Sequence, residues 1–195
     1  MQPLSKKVDH FSDSLIRRMT RIAMQYDAIN LSQGFPEFDP PKEITEALKS
    51  VADSGPHQYE ITWGSALFRS RLAARASQTM GLNIDPDKHV VVTCGGTEAM
   101  MCAVITLCDP GDKVIIFSPF YENYSADTLL NGAIPIYVPL IPPTFEFDLQ
   151  TLEEAFQQGV KALILCNPSN PSGKVFTRSE LLSIAELAEK YDTYV

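Results

Sequence analysis

The sequence predicts an α/β protein, a largely parallel sheet whose strands are joined by crossover helices. Two observations carry that reading. Short apolar, β-branched runs at 90–92, 113–117, 134–138 and 161–166 alternate with segments whose apolar residues recur at helical spacing; parallel neighbours require such crossovers. The turns Gly95-Gly96-Thr97, Pro119-Phe120-Tyr121 and Asn167-Pro168-Ser169-Asn170-Pro171-Ser172-Gly173 each begin where a predicted strand stops. In an open parallel sheet all three then crowd the carboxyl edge, where ligands bind.

From the N-terminus, Ser12 or Asp13 is expected to cap a helix carrying Leu15, Ile16, Met19, Ile22, Ala23 and Tyr26. Arg17, Arg18 and Arg21 interleave with them and read as a solvated or subunit-facing surface, not a nucleic-acid reader. Residues 30–41 hold three prolines and Gly34, which makes a constrained loop that either joins two helices or lines a ligand. A short amphipathic helix is predicted at 43–54 and a second helix at 64–80, ended by Gly81 and Pro86.

Val90, Val91 and Val92 predict a strand covered on both faces. Gly95 and Gly96 then turn the chain, and Thr97 is expected to cap a helix whose stripe is Ala99, Met100, Ala103, Val104 and Leu107. The first amides of such a helix have no internal partner and sit at the positive end of its dipole, so a phosphate is the natural occupant. The alternative is a plain strand-to-helix turn.

Residues 109–112 turn the chain into the strand at 113–117, and 119–121 open a helix to about Leu130. Thr151 and Glu154 fit a capping box for a helix ending near Gly159. Thr177 and Glu180 fit a second, for a helix to about Lys190.

A chain of 195 residues, 45% hydrophobic and 21% charged, affords a sizeable core. The net charge of −8 disfavours a nucleic-acid surface. No apolar run is long enough to cross a bilayer and no signal-peptide core is present, so no membrane contact and a cytoplasmic location are expected. Cys94, Cys102, Cys108 and Cys166 form no CxxC pair, lie in or beside apolar segments, and read as buried free thiols. His10, His57 and His89 are scattered, and no metal site is predicted.

The runs INLSQGFPEFDPP, HQYEITWG, CGGTEAM, SPFYENY and NPSNPSG, in this order and spacing, resemble the class I and II aminotransferases of the fold-type I pyridoxal-phosphate enzymes. The resemblance extends from about Leu15 onward. Its QGFP and QY segments are similar to the branch acting on kynurenine, glutamine, methionine and aromatic amino acids. It implies the three-layer sandwich of that family's large domain, incomplete here, with 1–45 contributing to the small domain and 46–195 to the large one.

The resemblance further implies pyridoxal 5′-phosphate as cofactor. Gly96 and Thr97, with Gly95 adjacent, would hold its phosphate through helix-terminal amides and a hydroxyl. Tyr121 would stack on the pyridine ring. Asn170 would donate to the phenolic oxygen and face the substrate, with Asn167 as a turn residue. Gly34 would meet the substrate carboxylate through its backbone. Tyr59 would reach the phosphate of the neighbouring subunit of a homodimer.

In the resembled family the Schiff-base lysine, the aspartate at the pyridine nitrogen and two arginines occupy positions beyond residue 195; Lys161 and Lys174 match none of them. No catalytic residue is therefore assigned, and the chain alone is expected to bind cofactor weakly, without transamination, and to expose sheet edge and apolar surface. The implied activity of the parent protein is amino transfer from an amino acid to a 2-oxo acid. Rival readings are a carbon–sulfur β-lyase of the same fold and a non-catalytic interaction module. A nicotinamide-dependent dehydrogenase would need a third glycine that Gly95-Gly96 lacks.

Overall fold

The structure is a computed structural model that describes residues 2–195 except Ser12, Phe35 and Pro56, with the backbone alone for His10. Packing divides the chain into a helical unit, Asp13–Thr93, and a sheet unit, Met1–Ser12 with Cys94–Val195. The expected division at residue 45 concerns the domains of complete family members, a different partition from this one.

The sheet unit is built on three parallel strands, β1 (Lys113–Ser118), β2 (Ile134–Pro139) and β3 (Val160–Ile164), in the order β2-β1-β3. β1 is central because it is apolar on both faces: Val114, Ile115 and Ile116 are wholly buried. Ile115 and Phe117 face one core with Val138, Leu152, Phe156, Leu163 and Ile184. Val114 and Ile116 face the other with Cys108, Ala133, Ala162 and Ile164, against which Met100, Leu107 and Tyr124 pack. These side chains come from α4 (Gly95–Leu107) and α5 (Glu122–Leu130) on one face, and from α6 (Leu149–Phe156) and α7 (Arg178–Lys190) on the other. Helices thus cover both faces, as the predicted parallel α/β class requires. Tyr194 lies alongside β3: its amide donates to Lys161 O at 3.2 Å, and its carbonyl accepts from Leu163 N at 2.8 Å.

The capping box at Thr177 and Glu180 forms as expected, starting α7. At α6 the expectation needs correction. Asp148, not Thr151, is the cap, its Oδ1 accepting from the Thr151 amide at 2.7 Å and from its hydroxyl at 2.8 Å. The helix starts three residues earlier than the Thr151 box requires, so Thr151 becomes a donor inside the first turn. Those bonds, the Thr151 amide foremost, hold the Asp148 carboxyl below the ordinary aspartate range.

The helical unit holds α1 (Leu15–Gln25), α2 (Lys42–Ala52) and α3 (Ala66–Met80). Ser14 caps α1; Asp13 instead pairs with Arg21, and the alternative cap Ser12 lies outside the described residues. Gly81 ends α3 in the left-handed conformation, as predicted. The buried side chain of Arg69 ties the unit together, donating to Gly64 O at 3.0 Å, Pro86 O at 2.6 Å and Asp87 Oδ1 at 2.8 Å.

Val90, Val91 and Val92 do not form the predicted strand. A strand needs a ladder, and here the Val92 amide donates instead to the loop carbonyl of Trp63 at 3.0 Å. A Cβ on Gly64 would stand 2.6 Å from the Val92 side chain, so this crossing demands glycine. The cysteines are also corrected: Cys108 is buried and Cys166 half-buried, but Cys94 and Cys102 are exposed. Met100, Val104 and Leu107 turn inward on α4, which leaves Cys102, Ala99 and Ala103 outside. Among the described residues no helix is long and apolar enough to cross a membrane, and no His, Cys, Asp and Glu cluster could hold a metal ion.

Candidate functional site

The carboxyl edge of the sheet gathers three segments: the start of α4, the passage from β1 to α5, and the loop after β3. α4 begins at Gly95 with Cys94 as its N-cap, and no side chain of the cap closes the terminus. Thr97 is therefore the third residue of the helix, not its cap. The Glu98 carboxylate takes the Cys94 amide, and the helix begins three residues earlier than a Thr97 cap requires. Gly95 has a φ of +83°, and a Cβ at Gly95 or Gly96 would meet nothing within 4 Å, so open space lies over the helix terminus. The Thr97 hydroxyl accepts from Asn123 Nδ2 on the first turn of α5 at 3.0 Å.

Tyr121 is the N-cap residue of α5 and half-buried. Its ring meets the ring of Tyr124 edge-on, with centroids 5.7 Å apart and planes at 80°. Phe120, its neighbour, stacks flat on Tyr137 of β2 at 5.2 Å. The two adjacent aromatics thus serve different surfaces, one the sheet and one the edge.

The loop after β3 closes on itself. Ser169 N donates to Lys174 O at 2.8 Å, Gly173 N to Ser169 O at 2.8 Å, and Phe176 N to Asn167 Oδ1 at 3.1 Å. Asn167 is thereby engaged as the turn residue. Asn170 instead lines a cavity of about 10 Å³ with Phe120, Tyr124, Ile116, Ile164 and Cys166, room for a single water. Burial, and then the Cys166 thiol beside it, push the Tyr124 phenol up to about 12, so it stays protonated at neutral pH. Cys166 Sγ donates to Pro168 O at 3.3 Å at the base of the loop.

Lys174 is committed to structure. Its ammonium meets Glu180 Oε1 at 2.8 Å in a largely buried pair and lies over the Phe176 ring. Burial alone would raise the Glu180 carboxyl, but Lys174 and the Thr177 donors outweigh it and hold the group below its ordinary range.

Gly95, Gly96, Thr97, Tyr121 and Asn170 thus share one edge. Gly34 and Tyr59 belong to the helical unit. Gly34 is exposed with nothing near its Cβ position; Tyr59 is 99% exposed with a φ of +53°. Cys166 was read from sequence only as a free thiol, and Asn123, Tyr124 and Glu98 were not singled out. Asn123 could have been, as a polar side chain two residues after a predicted edge aromatic.

Fold and edge together define a class, the fold-type I α/β transferases. Residues 26–195 match the family described as aminotransferase class I and II, and the chain belongs to that family, whose members are pyridoxal-phosphate-dependent enzymes. It is similar to human kynurenine–oxoglutarate transaminase 1, 36% identical over 185 residues that cover 88% of this chain and 44% of that protein. The structure of the Mycobacterium tuberculosis N-succinyldiaminopimelate aminotransferase matches with a TM-score of 0.90 at 34% identity, over 98% of this chain and 50% of that one. That of Escherichia coli YbdL, a methionine aminotransferase, matches with 0.92 at 32% identity, over 100% and 51%. The chain spans about half the length of the curated relatives it matches.

Proposed function

We propose that this chain supplies the phosphate and ring end of a pyridoxal 5′-phosphate site in an aminotransferase that moves an amino group from an amino acid to a 2-oxo acid. The observation that supports it is the convergence at one sheet edge of an open helix terminus, a half-buried aromatic and a loop amide. These residues fit the cofactor's chemistry. The space over Gly95 and Gly96 admits a phosphate, and the amides of the first turn together with the Thr97 hydroxyl hold it. The Tyr121 ring covers one face of the pyridine and keeps water from it. The Asn170 amide donates to the phenolic oxygen and favours its anionic form.

When bound, the cofactor supplies an electron sink; the residues of this chain bind, orient and shield. Gly34, in the helical unit, offers a backbone contact to a substrate carboxylate, and Asn170, in the sheet unit, is a substrate contact in its own right. Tyr59, with its ring free of intrachain packing, serves the phosphate of a second subunit in a homodimer. On this reading residues 1–45 contribute to a small domain and 46–195 to the large one, and the protein works in the cytoplasm. No catalytic residue is assigned within the 195.

The test is product analysis with pyridoxal phosphate, a 2-oxo acid, and kynurenine, glutamine or methionine as donor, using the protein in its complete form. Appearance of a new amino acid with the donor's oxo acid is expected. Release of pyruvate, ammonia and a thiol from a cysteine conjugate identifies a β-lyase instead. Borohydride trapping of one stoichiometric pyridoxyl-lysine within the 195 residues, with amino transfer, overturns the assignment of no catalytic residue here.

A further inference from the structure

The contact between Asn123 and Thr97 bridges the first turns of α4 and α5 at 3.0 Å. Both helices start at the sheet edge, and Asn123 follows the edge aromatic Tyr121 by two positions. A threonine hydroxyl has one proton and two lone pairs. With the Asn123 amide donating to it, one lone pair is used and the proton is left to point elsewhere. An anion over the helix terminus is the acceptor that geometry offers. Were the polarity reversed, with Thr97 donating to Asn123, the hydroxyl would present only lone pairs to the phosphate and repel it.

We propose that Asn123 is a positioning residue that fixes the Thr97 hydroxyl as a proton donor toward the cofactor phosphate. This rests on the reading of the α4 terminus as the phosphate seat. Asn123 acts through Thr97 and contributes to phosphate recognition without touching the reacting atoms. The amide is suited to the task because it carries both a donor and an acceptor. An aspartate at the same place is acceptor-only when ionised, and it would claim the Thr97 proton for itself.

The test uses the full chain and two non-aldehyde probes, pyridoxine 5′-phosphate and pyridoxine, which differ only in the phosphate and form no imine. Affinities are read from ³¹P NMR titration for the first and from ring absorbance for both, in wild type, Asn123→Asp, Asn123→Leu, Thr97→Val and the two double variants. A hydrogen bond to a charged group corresponds to roughly 10- to 100-fold in affinity. Thr97→Val is expected to lose about that factor for the phosphorylated probe, Asn123→Asp at least as much, and Asn123→Leu several-fold. Pyridoxine affinity should not move in any variant. In the Thr97→Val background the Asn123→Leu effect should vanish, because the hydroxyl it orients is gone.

If wild type does not discriminate the probes, the phosphate reading of α4 fails and this proposal with it. If wild type discriminates them but Thr97→Val leaves the phosphorylated probe unaffected, the amides alone hold the phosphate and the proposal alone is overturned. If Thr97→Val weakens binding but Asn123→Leu retains its full effect in that background, or weakens pyridoxine equally, the positioning role alone is overturned. Asn123 is only half-buried, and equal thermal midpoints across the variants exclude a folding defect as the cause.

Discussion

In the sheet unit the middle of β1 is closed to solvent on both sides, with two cores built from side chains of four helices. In the helical unit α1 and α2 bury no residue at all, and α3 buries only Arg69 and Ala73. Apolar side chains are plentiful there, yet Met24, Leu31 and Leu48 are at least 70% exposed. The two halves of one chain, of similar composition class, are therefore held by different forces. Removal of apolar area from water holds the first. The second depends on local helix hydrogen bonds, on caps, and on one guanidinium that collects three acceptors across 64–87.

If that contrast is right, core truncation should be most costly in the sheet unit. Phe156→Ala removes a wholly buried ring between α7 and the sheet and is expected to cost about 3–5 kcal/mol, measured by urea unfolding with a probe in the sheet unit. In the helical unit the largest loss should come from a polar residue. Arg69→Met keeps volume but leaves Gly64 O and Pro86 O without their donor, an expected cost of about 2–3 kcal/mol. Hydrogen exchange should show it as faster opening across 64–87, with β1 protection unchanged; equal loosening of β1 would erase the distinction between the units.

A third expectation sharpens the account of the sheet unit, where, among the described residues, Asp127 is the one buried side chain with an unpartnered polar atom. It is 3% exposed, its Oδ2 has no hydrogen-bond partner, and burial raises its carboxyl above the ordinary value of 3.8. A raised carboxylate weakens the native state as pH rises from the unfolded value through the folded one, because the unfolded chain ionises freely. Asp127→Asn should therefore stabilise the protein by about 1 kcal/mol at pH 7, and the gain should shrink as pH is lowered towards 4. A gain that grows on acidification would show that the carboxylate is stabilised in place. The smallest effect belongs to Leu48→Ala on α2, within about 0.5 kcal/mol for so exposed a residue. A loss above 2 kcal/mol would mean that α2 packs far more tightly than its exposure indicates.

What was legible in the sequence follows the same contrast. β1, β2 and β3 declared themselves through their own apolar runs, and Gly81 and the Thr177 box marked helix ends with residues that act locally. Val90, Val91 and Val92 have the same composition, but a strand is a property of a pair, and its partner is not written in its own residues. The strand order was likewise unreadable, since burial on both faces identifies a strand as covered but not as central. At Asp148 a carboxylate outcompeted a threonine that matched the better-known pattern. At the edge, Tyr121 and Asn170 were legible because each follows a strand that forms, whereas Gly95, Gly96 and Thr97 were placed there through a strand at 90–92 that does not form and reach it at the start of α4. Asn123 and Tyr124 were missed because their part depends on what α4 and the β3 loop bring to them.

The central place of β1 also orders events in time. During synthesis β1 leaves the ribosome before either of its two neighbours in the sheet. β2 joins one flank by pairing Lys113 with Ile134, whereas β3 reaches the other by pairing Lys113 with Val160, a loop roughly twice as long. Each doubling of loop length adds only about 0.6 kcal/mol of closure entropy, so β3 is delayed chiefly by its later exit and by the need for α6 to form between. Until it arrives, one flank of β1 stands open, its backbone lacking the partners that Ala162, Leu163 and Ile164 later supply. A chain emerged as far as residue 150 thus holds two of the three strands, with the backbone donors and acceptors on the free flank of β1 still unpaired.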